Sequence, residues 1–486
     1  MRITPSSPPA DALVSALARV LRAELIETHI SWVLLTGDHA YKVKKPVRLP
    51  FVDYGTLDAR RHFCEEEVRL NRRLAPSLYL GLSRITGTHG APELDGPGPV
   101  LEYAVRMRRF APGALLGEQL AAGTLTTADV DKLAARLADF HRTSTPALPA
   151  DGFASADRRR AAALAALDGA SPAASQAEQA RLGAWLAGEA TALAPLWTAR
   201  LAGGHVRECH GDLHLDNLVS LNGEVAAFDC IEFEPAFRWI DVLDDIAFTV
   251  MDFDARGRRD LAFRLLNAWM DLTGEHDAVP ALRFSVVYRA LVRAQVARLR
   301  GAGHEAAALR YLESALSWTR PGQAHLFITH GLPGSGKTFH SQRLLESVGA
   351  IRVRSDVERK RLFGLGMLED SRAKGLDLYS EAVTARTYDR LFAIARPALR
   401  AGYPVILDAA FLRRQERDRA HALARELGVP FGIVDCIAPL PLLRERLQAR
   451  NGDASEADIA VLERLHAVAQ PLEQDELALV HTMAGD

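Results

Sequence analysis

Two stretches of the 486-residue chain combine acids, an amide and a lysine at spacings suited to phosphate chemistry. The first, His210-Gly211-Asp212-Leu213-His214-Leu215-Asp216-Asn217, reads H-x-D-x-x-x-x-N, and Phe228-Asp229 follows after two short apolar runs. At such a spacing one Asp meets an acceptor hydroxyl, an Asn five residues on turns back to Mg²⁺, and another Asp reaches the same metal from a neighbouring strand. Turn-capping acids and amides are the bland alternative, which three residues in this register after an apolar strand disfavour. The second stretch, Gly331-Leu332-Pro333-Gly334-Ser335-Gly336-Lys337-Thr338, reads G-x-x-x-x-G-K-[ST] directly after the apolar run Leu326-Phe327-Ile328-Thr329. Its glycines let backbone N–H groups turn inward around a phosphate and a helix N-terminus adds its dipole. Lys337 reaches the β/γ oxygens, and the Thr338 hydroxyl ligates Mg²⁺.

Lysine is scarce. Only seven of the 59 basic residues are Lys, and three of them fall in Tyr41-Lys42-Val43-Lys44-Lys45. An arginine-rich coding bias explains the surface, so each retained Lys invites a reason. The remaining composition is that of an ordinary folded protein, 48% hydrophobic and 25% charged, which excludes disordered and fibrous classes. A net charge of -2 gives no overall reason to expect a nucleic-acid or membrane partner. Cys64, Cys209, Cys230 and Cys436 lack CxxC spacing, so neither a disulfide framework nor a zinc site is expected. No signal peptide or membrane-spanning run is read, and the expected location is cytoplasmic.

Positioning these residues requires two architectures. Ser31–Leu35 and Ala40–Lys44 read as strands about a Gly37-Asp38 turn, which puts Lys42 and Lys44 on one face. A helix is expected over 57–74, a loop over 87–99 and a strand over 100–110. Helices dominate from about 115 to 205, short strands occupy 209–233, and helices resume to Trp318. Thr319-Arg320-Pro321-Gly322-Gln323 marks a boundary, after which strand-like and helical runs alternate as in a parallel α/β sheet. The expected fold is two-domain: residues 1–320, α+β with a small mixed lobe (about 28–110) and a helical lobe (111–320), then an α/β P-loop domain with a parallel sheet (321–486).

In the second domain Asp356 closes the strand Ile351 to Val353 and Asp408 closes Val405 to Leu407, at the carboxyl ends where ligands of parallel sheets bind. Asp408 would hold the Mg²⁺ shell and Asp356 would accept a hydroxyl proton. The P-loop, Ser355-Asp356-x-x-Arg359 and Leu407-Asp408-Ala409 together resemble the small P-loop kinases, a group that includes polynucleotide kinase, gluconate kinase and zeta-toxin-like enzymes. That resemblance makes Asp356 a hydroxyl-activating base oriented by Arg359, and implies an arginine-bearing lid. Leu443-Arg444-Glu445-Arg446 and Arg450 fit either that lid or a solvated face.

The first domain resembles the aminoglycoside phosphotransferase family, a protein-kinase-like branch, through His210-Gly211-Asp212-x-His214-x-x-Asn217 and the downstream Trp239-Ile240-Asp241 and Asp244-Asp245-Ile246-Ala247. By that resemblance Asp212 is the base, Asn217 and Asp229 carry the metal, and a strand lysine holds the α/β phosphates while pairing with a helix Glu. Lys42 is the first choice for it and Lys44 the alternative. Glu67 is preferred as partner over Glu65 and Glu66. No glycine-rich loop lies between residues 25 and 40. Glu232, Glu234, Asp244 and Asp245 could face a cationic sugar, support the metal, or cap turns.

The implied function is an ATP- and Mg²⁺-dependent phosphotransferase with two sites, acting on a hydroxyl of a small molecule. The competing readings are a nucleotide-binding regulator or sensor and, for the second domain, a polynucleotide or nucleotide-sugar kinase. The near-neutral charge disfavours nucleic acid.

Overall fold

Strands Ser31–Leu35 and His39–Lys44 pair antiparallel across the Gly37-Asp38 turn, with Val33 opposite Lys42. They lie within a six-stranded antiparallel sheet in the computed structural model, which describes residues 8–49, 52–170, 174–449 and 454–481. From edge to edge the sheet runs Glu24–Glu27, Ser31–Leu35, His39–Lys44, Glu102–Arg108, Tyr79–Thr88 and Ala91–Leu94. The Gly- and Pro-rich stretch expected as a loop therefore contains a strand. Pro92 is tolerated there because the strand is at the edge, where a missing N–H costs little.

Packing divides the chain into two compact units, residues 1–158 with 197–249, and residues 159–196 with 250–486. The composition break at 319–323 is thus not where packing separates the chain. Helix Arg259–Thr273 is tied to the P-loop region by polar contacts that leave no periodic signature in sequence. Asn267 donates to Ala350 O at 2.9 Å and accepts from Arg352 N at 2.6 Å, and Arg264 pairs with Glu346 at 2.8 Å.

In the first unit Thr56 caps helix Leu57–Asn71, accepting from Ala59 N. The helix stops three residues short of Leu74. Its buried residues Cys64 and Val68 share a core with Val105, Val219 and Ala226. Val219 and Ala226 belong to the hairpin Leu218–Leu221 with Glu224–Ala227, so burial fixes the hairpin that leads to Asp229 against the helix that carries Glu67. Strands Val206–Glu208 and Trp239–Asp241 pair on either side of the His210 segment. At three residues each, they are too short for a period to reveal.

The second unit holds a parallel sheet in the order Ile351–Arg354, Val405–Asp408, Leu326–His330, Phe431–Asp435. Leu326–His330 and Val405–Asp408 are neighbours, so Gly331 and Asp408 emerge side by side at their carboxyl ends. The strands are buried on both faces, as their unbroken apolar runs require. All four cysteines are free and buried. Among the described residues no helix is long and apolar enough to cross a membrane.

Candidate active sites

The strand period that puts Lys42 and Lys44 on one face brings both to Glu67. Lys42 Nζ donates to Glu67 Oε1 at 2.9 Å and also bonds Asp229, while Lys44 Nζ donates to Glu67 Oε2 at 2.7 Å and bonds Glu232. The two lysines differ in surroundings. Lys44 and Glu67 are fully buried, and Tyr54 Oη closes the far end by donating to Glu232 at 2.6 Å. Lys42 instead reaches Asp229, whose side chain is 43% exposed. Lys42 therefore faces the cleft acid and Lys44 anchors Glu67 from behind. Glu65 and Glu66 take other partners, Arg61 and Arg69.

Burial alone would raise the Glu67 carboxyl, but Lys42 and Lys44 outweigh it and hold it at about 2. Burial would likewise lower both ammonium groups, yet Asp229 and Glu67 around Lys42, and Glu232 and Glu67 around Lys44, leave each above its ordinary range. A depressed carboxyl pKa stabilises the fold above the unfolded value and ceases to do so as pH falls through the folded one. The triad's contribution is therefore lost between about pH 4.5 and 2. Glu67→Gln should lack that part of the acid transition and lose about 3–5 kcal/mol at neutral pH, because two buried cations lose their shared anion. Circular-dichroism melts across pH check this, and an unchanged acid limb in the variant would contradict it.

The His210 segment is held by its backbone. Asp245 accepts from His210 N at 3.0 Å and Gly211 N at 2.8 Å, with His141 Nε2 3.1 Å away. Gly211 has φ 87°, and a Cβ there would collide with Phe237 O. His210 Nε2 lies 2.9 Å from Phe228 O, and Asp212 N donates to Nδ1 at 3.3 Å. These partners require a neutral imidazole with its proton on Nε2, and burial lowers its pKa accordingly. Asn217 Nδ2 donates to Asp212 O at 3.0 Å and Oδ2 at 3.1 Å, so the predicted base and its amide lie together. Asp229 adopts φ 63°, and its N–H donates to Tyr79 Oη at 3.1 Å. Asn71 Oδ1 accepts from Cys230 N at 2.9 Å.

Tyr79, Asn71 and Tyr54 carry no motif and were not legible as site residues. Asp245→Asn should lower turnover by the first unit about 10²-fold with nucleotide affinity little changed, because it displaces Asp212 without touching Lys42. Separate measurements of kcat and nucleotide Kd test it, and an equal loss in both would count against a positioning role. Three of the four acids considered for a cationic acceptor are engaged elsewhere: Glu232 with Lys44 and Tyr54, Glu234 as cap of Pro235–Arg238, and Asp245 with the backbone of His210 and Gly211.

In the second unit the P-loop turns at Gly331, whose φ is 145° and whose Cβ would overlap Cys436 O and stand 2.7 Å from Ser335 Oγ. Pro333 and Ser335 are buried, and the Ser335 hydroxyl has no hydrogen-bond partner, which fits a loop shaped to receive an oxyanion. Lys337 Nζ donates to Gly331 O and Leu332 O, both at 2.9 Å. Helix Lys337–Val348 starts at Gly336 and exposes Thr338 on its first turn. Ser341, one turn on, donates to Asp408 Oδ2 at 3.0 Å and joins the P-loop helix to the acid-bearing strand.

Arg446 Nη1 donates to Gly334 O at 3.0 Å, and Leu443 and Leu447 of the same helix pack with Leu332. Arg444 pairs with Glu463 at 2.6 Å on the exposed side. Helix Leu440–Ala449 thus has a P-loop face and a solvated face, and Arg450 lies outside the described residues. Asp356 differs from expectation: the strand ends at Arg354, and Asp356 sits in the first turn of helix Ser355–Arg361. Arg359 is directed to Leu378 O, at 3.0 Å, and over the Tyr379 ring at 4.8 Å, so orientation of Asp356 by a bond from Arg359 is not what this geometry contains. Burial and Asp356 raise the Tyr379 hydroxyl pKa while Arg359 opposes them, which places Tyr379 in the field of both.

Oxygen donors at Asp212, Asn217 and Asp229, with a lysine on the last, form the first set; a glycine loop with Lys337, Thr338 and Asp408 forms the second. Both suit a nucleotide with a hard cation. These are the constellations of a kinase-like phosphotransferase joined to a P-loop domain. Family models agree: the phosphotransferase enzyme family matches residues 63–280, and an AAA domain of the P-loop kinase-like type matches 326–472. Two relatives match nearly end to end, Uncharacterized protein Rv2004c of Mycobacterium tuberculosis and Uncharacterized protein Mb2027c of Mycobacterium bovis. Each is 31% identical over 450 residues, spanning 91% of this chain and 89% of the relative. The chain belongs to the family of these mycobacterial proteins.

Among solved structures, a glucosamine kinase is 19% identical with a TM-score of 0.36, covering 65% of this chain and 82% of its own. The Mycobacterium tuberculosis APS kinase CysC, in complex with AMPPNP and APS, is 26% identical with a TM-score of 0.21, covering 26% and 69%.

Proposed function

We propose that the protein is an ATP-dependent phosphotransferase with two nucleotide sites, the first unit transferring the γ-phosphoryl group to a hydroxyl of a small molecule. The observation that carries this reading is the ion-pair chain Glu67–Lys42–Asp229 together with the Asp212–Asn217 bond, linked where Phe228 N donates to Asn217 O at 3.0 Å; it supports Lys42 as the phosphate-binding cation, Asp229 and Asn217 as the oxygen ligands and Asp212 as the base. Asp212 takes the acceptor proton as the acceptor oxygen bonds phosphorus and ADP departs. Asn217 keeps the Asp212 carboxylate in place, and Asp245 fixes the backbone beneath it. Lys42, held by Glu67, orients the α/β phosphates. Asn217 and Asp229 would hold Mg²⁺, which when bound supplies charge neutralisation at the phosphoryl oxygens.

In the second unit the P-loop N–H groups and Lys337 would cradle the phosphates, with Thr338 and Asp408 as the Mg²⁺ ligands. Arg446 is already against the loop, and Asp356 is the candidate base for a hydroxyl acceptor. Catalysis in both units is positioning plus electrostatic stabilisation. ATP consumption across a panel of sugars, amino sugars and polyols tests the proposal. Acceptor-dependent turnover sensitive to Asp212 supports it, and nucleotide binding with no turnover on any acceptor would favour a sensor instead.

A further inference from the structure

Helix Arg259–Thr273 precedes the composition break and lies inside the stretch that matches the phosphotransferase enzyme family, residues 63–280, yet it packs in the second unit. Its neighbour there is Ile351–Arg354, the edge strand of the parallel sheet. An edge strand has backbone groups that no strand partners, and Asn267 serves them, accepting from Arg352 N at 2.6 Å and donating to Ala350 O at 2.9 Å. Asp271, one helical turn further on, takes the side chain of the same residue, accepting from Arg352 Nη2 at 3.3 Å. The helix thus holds Arg352 by both backbone and guanidinium.

The other arm of that guanidinium reaches the P-loop site. Arg352 Nη1 donates to Ser341 Oγ at 3.4 Å, and Ser341 donates to Asp408 Oδ2 at 3.0 Å. Three bonds therefore join Asp271 to the acid that ends Val405–Asp408, and all four residues are buried. A buried charge is costly without a partner. Burial lowers the pKa of the Arg352 guanidinium, and of the two carboxylates that oppose this, Asp271 acts more strongly than Asp408. Arg354 also lies 3.7 Å from Asp271. Asp271 is thus the main counter-ion of Arg352, which leaves the Asp408 charge for a cation.

We infer that Asp271 is a positioning residue of the P-loop site: acting through Arg352 and Ser341, it aims Asp408 and keeps that carboxylate available to Mg²⁺. The inference rests on the reading of Asp408 as a Mg²⁺ ligand. It makes the P-loop site dependent on a helix that lies outside the P-loop family match, residues 326–472. When Asp271 loses its charge, Asp408 is left to balance the buried guanidinium, and a carboxylate so engaged holds a cation less well.

The test is hydrogen–deuterium exchange of segment 331–341 in the full chain, with a non-hydrolysable ATP analogue present and Mg²⁺ titrated from none to saturation. Exchange read at the P-loop itself separates this site from the nucleotide site of the first unit. Asp271→Asn should raise the Mg²⁺ concentration for half-maximal protection about tenfold or more, the usual effect of losing a partner behind a metal ligand, while ligand-free exchange of the segment stays as in the wild type. Adding Arg352→Met removes the competing charge and should return the midpoint toward the wild-type value. A midpoint unmoved by Asp271→Asn, faster ligand-free exchange in that variant, or no recovery on adding Arg352→Met would each overturn the inference. A wild-type segment that the analogue and Mg²⁺ fail to protect would overturn the P-loop nucleotide reading, and this inference with it.

Discussion

Asp212→Asn is expected to cut acceptor-dependent phosphotransfer by the first unit about 10³-fold, within the usual range for loss of a positioned general base. The substitution preserves shape but cannot take the acceptor proton. Nucleotide affinity should change little, because Asp212 contacts Asn217 rather than Lys42, which is engaged by Glu67 and Asp229. The signature is a fall in kcat at nearly constant ATP affinity, measured by steady-state assay and by nucleotide titration of the variant. An unchanged kcat with raised KM would show that Asp212 only binds the acceptor. Turnover belonging to the P-loop should survive the substitution, since Lys337, Thr338 and Asp408 are untouched.

Lys337→Ala should produce the complementary loss, about 10²- to 10³-fold in turnover by the second unit, the scale of removing one preorganised charge donor from a transition state. Lys337→Arg should fail to restore it. The ammonium fits between Gly331 O and Leu332 O at 2.9 Å from each, and a planar guanidinium is too broad for that place. The first unit's acceptor-dependent activity should be unaffected. Rescue by Arg would mean that charge alone suffices at this position.

The lysines illustrate how far the sequence could be read. The two-residue strand period was enough to place Lys42 and Lys44 on one face, and both do reach Glu67, the preferred partner. What a period cannot resolve is which of them faces the cleft, because that depends on Asp229 and Glu232, nearly two hundred residues away. The scarcity of lysine proved to mark buried cations more broadly than phosphate contacts. Lys45 pairs with Glu27 at 2.5 Å and Lys360 with Glu456 at 2.8 Å, both lysines buried, while Lys132 and Lys374 are on the surface.

The strands that end at the P-loop and at Asp408 were legible as apolar runs, since a parallel sheet buried on both faces leaves such runs. Ser341, Tyr79 and Asn71 were not, because each acts through a single tertiary hydrogen bond from an unremarkable position. A carboxylate following an apolar run reads the same whether it closes the strand or opens the next helix, and Asp356 does the latter. The composition break near residue 320 lies between the two family matches, 63–280 and 326–472, while packing groups the residues from Val250 onward with the P-loop region. The ties of Asn267 to Ala350 and Arg352 are polar and single, and they alter neither composition nor periodicity.

The central claim, two separate ATP sites in one chain, is tested most directly by counting Mg²⁺-dependent equivalents of a non-hydrolysable ATP analogue bound to the wild-type chain and to Lys42→Ala, Lys337→Ala and the double variant. Two equivalents are expected for the wild type, one for each single variant and none for the double. One equivalent in the wild type, or two retained in either single variant, would contradict it.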